Sequence, residues 1–339
     1  MTRNTALGTL AEVRRGSFMT IRSVGLTGAT GFLGWHIANA FRSRGWHVRA
    51  ISRPRNAKPL PPDVESIEAP LEQAALTKAF AGCNAIVHAA ALTRAPSERA
   101  FTTVNVDGTR AVVAAANETS VPLVFISSLG AVGPGTPDRP TREDDAPRPV
   151  SAYGRSKLAA EVVVRSSALV PWTILRPSAV YGPRDRQMLP LFRLANRGQL
   201  WLAARPGAAF TMTYAEDVAR AVTMATEDAR ASGQTLFVGH PDPQTEDAIQ
   251  RQLGRVFGRS SRPRRAPRFA LRVLGGGGDL AWRFGRAPLL DAERLLELQA
   301  EGWVCAVDRA REVIGFTAET PLGEGLERTL CWYRQQRWI

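Results

Sequence analysis

The chain has 339 residues, 44% of them apolar and 22% charged, the make-up of an ordinary folded protein with one large domain or two modest ones. No apolar run is long enough to span a bilayer, and the first twenty residues lack the apolar core of a secretory leader. A net charge of +13 raises the question of nucleic acid, but only three of the 44 basic residues are lysines and no aromatic-interleaved recognition motif accompanies the arginines, so no nucleic-acid partner is expected.

Residues 1–20 carry three arginines and one acid and are expected to be an N-terminal extension, with Met19 as an alternative start. A transit-peptide reading of them is weaker. "SVGLTGA" then reads as an apolar strand running into glycine, and "GWHIANAFRSRG" as a helix closed by Gly45. "WHVRAISR" is a second strand, "LTKAFAG" a short helix, "NAIVHAAA" a strand, "NVDGTRAVVAAANET" a helix and "PLVFISS" a strand. A Pro, Asp and Gly-rich loop at 133–150 precedes a long helix, "AYGRSKLAAEVVVRSSA", and another strand, "WTILRPSAV". This β-α alternation predicts a parallel, doubly wound Rossmann sheet over residues 21–182.

Past Gly182 the alternation loosens. "LPLFRLANRG" reads as a helix, and residues 211–240 return to the Rossmann domain through "FTMTYAEDVARAVTMATED" and the strand "QTLFVGH". Residues 183–210 and 241–339 are left as a smaller, mostly C-terminal substrate-binding region. Within it "TEDAIQRQLGRVFGR" is an amphipathic helix, Gly275–Gly278 a glycine-run loop, and helices are expected around 289–300 and 322–336. From Ala248 to Leu290 there are ten arginines and one acid, Asp279. Arg251, Arg255 and Arg259 fall on one helix face, most simply a solvated one. A peripheral membrane-surface patch around "RFALRVLGGGGDLAWRF" is the second reading, and nucleic acid the third.

The chemistry is carried by two constellations. "TGATGFLG" follows a strand and opens a helix, with glycines Gly28, Gly31 and Gly34 at i, i+3 and i+6. Such glycines allow a tight turn and close backbone approach to a pyrophosphate, which the helix N-terminus attracts. In this loop Gly28, Thr30, Gly31, Phe32 and Leu33 are the cofactor-binding candidates. After the second strand comes Arg53, then Arg55, with no acid until Asp63. A guanidinium pairs with a 2′-phosphate where a carboxylate would bind ribose hydroxyls, so the cofactor is read as NADP, with NAD as the alternative. The second constellation is Ser128 with Tyr153 and Lys157. The i, i+4 spacing puts phenol and ammonium on one helix face, where the cation is expected to lower the phenol's pKa and make it a usable acid-base. No metal site is expected, because Cys83, Cys305, Cys331 and four histidines are scattered. The three thiols suit a reducing cytoplasm.

Together these residues resemble the extended and atypical short-chain dehydrogenase/reductase superfamily, the NAD-dependent epimerase/dehydratase group. "LTGATGFLG", "AIVHAAAL", "VNVDGT", "VFISSLGAVG", "YGRSK", "ILRPSAVYGP" and "YAEDVARAV" carry the resemblance over about residues 21–240. It implies Tyr153 as the acid-base, Lys157 as its pKa depressor and a ribose ligand, and Ser128 as the donor that orients the substrate. It also implies Ala89, Ala90 and Pro177 beside the cofactor, and a homodimer formed through the helix of Tyr153. Sugar dehydratases carry an Asp-Glu pair where this chain has Leu129 and Gly130, which disfavours dehydration. Nucleotide-sugar epimerases have an arginine where this chain has Phe210, although Arg205 is near. The acidic residue expected to meet adenine is replaced by Pro70. The tail "IGFTAETPLGEGLERTLCWYRQQRWI" is similar to the 3β-hydroxysteroid dehydrogenase and dihydroflavonol reductase branch. That branch implies a small apolar or aromatic substrate, with Phe192, Trp201, Phe210, Trp282 and Phe284 as pocket candidates. The expectation is a cytoplasmic NAD(P)-dependent oxidoreductase. A nucleotide-sugar epimerase is the alternative, and a non-catalytic nucleotide sensor the third reading.

Overall fold

The computed structural model describes residues 22–53, 59–259, 262–284, 288 and 290–339; the N-terminal extension and Arg55 lie outside these residues. Seven parallel strands form one sheet: β1 (Ser23–Thr27), β2 (His47–Ser52), β3 (Glu65–Glu68), β4 (Ala85–His88), β5 (Leu123–Ile126), β6 (Trp172–Pro177) and β7 (Gln234–Val238). Their order is β3-β2-β1-β4-β5-β6-β7, so the chain reverses its direction of travel between β1 and β4. Ligands in open parallel sheets bind at that reversal, beyond the carboxyl ends of the strands. β3 is a strand that the alternation did not suggest; it is short, polar and at the sheet edge.

Helices cover both faces. Each uncovered sheet face would leave an apolar surface in water, so each carries its own core. On one side α1 (Phe32–Ser43) and α5 (Ala215–Glu227) bury Ile37, Phe41, Val218 and Val222 against Val24, Leu26 and Val48. On the other, α2 (Gln73–Phe80), α3 (Gly108–Thr119) and α4 (Ala152–Ser167) bury Phe80, Val112 and Val164 against Ile86, Phe125 and Ile174. β7 pairs with β6, which brings residues 234–238 back into the sheet after the excursion that begins at Gly182.

The C-terminal part adds α6 (Glu246–Val256), α7 (Arg268–Arg283), α8 (Ala292–Gln299) and α9 (Leu322–Gln335). It has a separate core in which Phe192 meets Tyr333 with ring centroids 5.0 Å apart, beside Leu253, Leu326 and Leu330. One expectation fails here. The glycine run is not a loop but the middle of α7: an added Cβ on Gly278 would run into the carbonyl of Leu290, and one on Gly275 would touch Leu295 at 3.4 Å. The missing side chains at Gly275 and Gly278 let α7 lie against the segment that opens α8, and this packing offsets part of the lost helix propensity, about 1 kcal/mol for each glycine of the run. No helix among the described residues is long and apolar enough to cross a membrane.

Candidate active site

β1 ends at Thr27, and Gly28 turns the chain with φ +80. An added Cβ there would lie 2.6 Å from the Ala90 nitrogen and 2.7 Å from the Ala89 carbonyl carbon. The loops after β1 and β4 therefore touch backbone to backbone at the reversal point, and Ala89 and Ala90 stand beside the glycine turn. α1 starts immediately afterwards on Gly31, with no side-chain cap and no acid in its first turn. A bare helix N-terminus over a glycine cradle fits a pyrophosphate. Thr30, Phe32 and Leu33 are half-buried around it, and Gly34 packs on the Gly28 carbonyl. Arg53 follows β2 and is exposed. Asp63, the next acid in sequence, pairs with Arg42 at 3.4 Å, while Glu68 at the end of β3 stands in register with Ser52. Pro177 closes β6, buried and paired with Val238.

The cradle is braced by a buried hydrogen-bond chain in which His88 is central. The Thr109 hydroxyl donates to the Asn105 carbonyl at 2.6 Å and so accepts from His88 Nε2 at 3.1 Å. His88 Nδ1 is then left to accept from the Thr27 hydroxyl at 2.7 Å. Burial holds this imidazole neutral, with a pKa of about 3, and the Lys157 cation pushes the same way. The Thr27 oxygen also accepts from the Ala90 amide at 3.3 Å, tying the two loops together. Asn105 sits on a widened π-helical turn (Thr102–Asp107), binds both backbone groups of Leu92, and donates to Ser156 Oγ at 2.9 Å. Ser156 donates to the Tyr153 carbonyl at 2.7 Å.

Ser128 leaves the end of β5 and caps a short turn, accepting from the Gly130 amide at 3.1 Å. Ser151 caps α4 in the same way, accepting from Gly154 at 3.1 Å. Gly154 packs on the Gly130 carbonyl, so the helix start is pressed onto the turn that carries Ser128. A methyl on Gly130 would lie 3.4 Å from Ser128 Oγ and 3.8 Å from Tyr153 Cε1, which places this glycine between the two side chains. Ser128 and Tyr153 are thus brought together just beyond the end of β5, while Lys157, one turn along α4, sets its ammonium on the Ile126 carbonyl of that strand.

Their electrostatics differ from expectation. Burial pushes the Tyr153 phenol up to about 12; its hydrogen bond with Ser128 opposes this, Glu297 reinforces it and Arg294 opposes it. The Lys157 ammonium is engaged by β5 instead of by the phenol. It is buried, donates to the Ile126 carbonyl at 2.5 Å and lies 4.3 Å from the centre of the Phe125 ring. Burial lowers the ammonium to about 7, with Glu161 opposing. Glu161 in turn is fully buried, accepts from Ser127 at 2.5 Å and makes a two-pronged pair with Arg176 at 2.9 and 2.8 Å. This pair joins α4 to β6.

α8 closes the site from the C-terminal part, and sequence reading assigned no residue on it. Glu293 accepts from the Ala152 amide at 2.5 Å, a carboxylate on the N-terminus of α4. Arg294 pairs with Glu297 at 3.1 Å and reaches Gln187, which donates to Thr93 at 3.3 Å. Nothing in the spacing of these residues signals a contact across 141 positions. Of the aromatic pocket candidates, Phe192 is core and Phe284 faces outward, 75% exposed, while Trp201, Phe210 and Trp282 are half-buried. Trp282 donates to Asp291, which also binds Arg94. Among the described residues no group of His, Cys, Asp or Glu could hold a metal ion.

The sequence pattern of the NAD dependent epimerase/dehydratase family matches residues 24–239. A ceramide reductase from Caulobacter vibrioides is 29% identical, over 93% of this chain and 96% of its own length. A ketoreductase from Stigmatella aurantiaca, named for a farnesylated 3-oxo-dihydroquinoline-1-oxide, is 28% identical over 89% of this chain and 94% of its own. The solved structure of MoeE5 in complex with UDP-glucose and NAD superposes with a TM-score of 0.74 at 25% identity, covering 93% of this chain and 99% of that one.

Proposed function

The chain belongs to the NAD dependent epimerase/dehydratase family, and on that premise we propose that it is a reductase or dehydrogenase acting on a carbonyl or secondary alcohol of a small apolar or aromatic substrate. Ser128, Tyr153 and Lys157 carry the reaction. The supporting observation is that the Ser128 hydroxyl and the Tyr153 ring flank Gly130 just beyond the end of β5, an added Cβ on Gly130 lying 3.4 Å from Ser128 Oγ and 3.8 Å from Tyr153 Cε1. The acids that a dehydratase needs are absent from that turn: its residues are Leu129 and Gly130.

Gly28, Thr30, Gly31, Phe32, Leu33, Ala89, Ala90 and Pro177 hold the dinucleotide, and Arg53 selects NADP over NAD. The bound nicotinamide supplies or accepts the hydride. Ser128 holds the substrate oxygen, and Tyr153 gives that oxygen a proton or removes one. In the reductive direction the protonated phenol is the form that donates; in the oxidative direction it must come down from about 12, and the Lys157 ammonium and the positive ring of an oxidised nicotinamide would supply the charge. Asn105, through Ser156, holds the Tyr153 backbone while that shift occurs.

Epimerisation of a nucleotide sugar is the second reading, favoured by the likeness to a protein solved with UDP-glucose and NAD bound. Phe210 stands where the family places the sugar-nucleotide arginine, which favours the reductase. Net turnover separates them. Incubation with NADPH and a panel of long-chain and aromatic ketones is expected to consume reduced nicotinamide in step with alcohol formed. Interconversion of a nucleotide sugar without net nicotinamide consumption would establish the epimerase instead.

A further inference from the structure

Eight large apolar side chains are exposed among the described residues. Six of them sit on two packed helices: Phe269, Val273, Leu274, Leu280 and Phe284 along and just past α7, and Leu296 on α8. Phe269, Val273, Gly276, Leu280 and Phe284 follow i, i+4, i+7, i+11 and i+15, one continuous stripe of a helix surface. The opposite side of α7 is already docked through Leu271, Gly275 and Gly278. The stripe is therefore a second apolar face, with Phe269 72% exposed at one end and Phe284 75% exposed at the other.

The charge around this stripe identifies its occupant. Arg272 is exposed on α7 itself, Arg262, Arg264 and Arg265 are exposed in the segment that leads into it, and Arg262, Arg264 and Arg272 have no ion-pair partner among the described residues. We propose that this face docks on the surface of an anionic lipid bilayer, with the phenylalanines in the headgroup boundary and the arginines on lipid phosphates. A second copy of the chain fits less well, because a two-fold contact through α7 would set these arginines against one another. The docked face leads straight to the site: Trp282 on α7 binds Asp291, which caps α8, and Glu293 of α8 caps the helix of Tyr153. The proposal stands whether the enzyme is a reductase or an epimerase.

The test is co-sedimentation of the full chain with vesicles of phosphatidylcholine alone and of phosphatidylcholine mixed with phosphatidylglycerol. At least about tenfold more protein should pellet with the anionic vesicles, and added salt should release it. Phe269→Ser with Phe284→Ser, and separately Arg262→Glu with Arg264→Glu, should each reduce binding about tenfold while the thermal melt and NADPH binding stay unchanged. The arginine pair decides the matter if the serine variant does not fold, since Arg262 and Arg264 are exposed. Equal recovery with both vesicle types, or wild-type binding by the arginine variant, overturns the proposal. So does a dimer in sedimentation velocity that the serine variant loses, with no vesicle binding by either.

Discussion

Substituting Gly28 by alanine perturbs the cradle at its tightest point, and Gly207→Ala supplies a matched control. Both glycines have nearly the same backbone, φ +80 and φ +79. Placing a Cβ on that conformation costs about 1–2 kcal/mol at either position. At Gly207 an added Cβ meets nothing within 4 Å, so the cost ends there. At Gly28 it meets three backbone atoms at 2.6–2.8 Å, and backbone cannot swing aside as a side-chain tip would. To reach ordinary contact the β1 and β4 loops must part by roughly 0.8 Å, an overpacking penalty of about 1–3 kcal/mol more. The same movement displaces the backbone that would lie under the pyrophosphate. Differential scanning fluorimetry should show a drop of a few degrees for Gly207→Ala and a larger one, by about 1–3 kcal/mol of destabilisation, for Gly28→Ala. Calorimetric titration with NADPH should show affinity unchanged in the control and weakened at least tenfold in Gly28→Ala. Equal melting temperatures with equal affinities would refute the cradle.

Three further outcomes follow from the geometry. Glu161→Gln leaves the buried Arg176 guanidinium short of its countercharge, so chemical denaturation should show a loss of about 3–5 kcal/mol, whereas Glu161→Leu with Arg176→Met should lose less. Acid should destabilise the protein above the carboxylate range. His36, with a pKa of about 4, and His88, at about 3, are held neutral, so the unfolded chain binds more protons below pH 6.5 and stability falls as pH falls. By pH 5 that is about 2 kcal/mol for each. Asp185, raised to about 6 by burial, returns about 1 kcal/mol, and denaturation at pH 7.5 and pH 5 should differ by about 3 kcal/mol; equal values would show that the imidazoles are solvated. Arg53→Asp should reverse the preference between NADP and NAD, read as the ratio of their dissociation constants, and an unchanged ratio would remove Arg53 from the cofactor site.

The sheet was legible, and Ser128, Tyr153 and Lys157 could be singled out as candidates, because those signals are local. β-α alternation reports burial on two faces within single segments, and the TGxxGxxG and YxxxK spacings each fit inside a few turns. What the sequence hid depends on distant partners. Gly275–Gly278 looks like a loop by propensity, yet it is helical, with Gly275 and Gly278 set against Leu295, Leu290 and Asp291 from far along the chain. The state of Lys157 could not be read from its i+4 position, since the Ile126 carbonyl and the Phe125 ring, which compete for it, arrive from β5. Glu293 and Arg294 enter from a helix whose sequence carries no motif, and Phe192 was available to core and pocket alike until Tyr333 and Phe257 packed on it.

Replacing Tyr153 by phenylalanine removes one hydroxyl while keeping the ring beside Phe101, whose centroid lies 6.2 Å away. With a ketone that the wild-type enzyme reduces, Tyr153→Phe should bind NADPH as tightly as before and lose at least a hundredfold in kcat. Wild-type turnover by that variant, with cofactor bound, would show that the proton comes from elsewhere and that the Ser128, Tyr153 and Lys157 cluster is not the catalytic site.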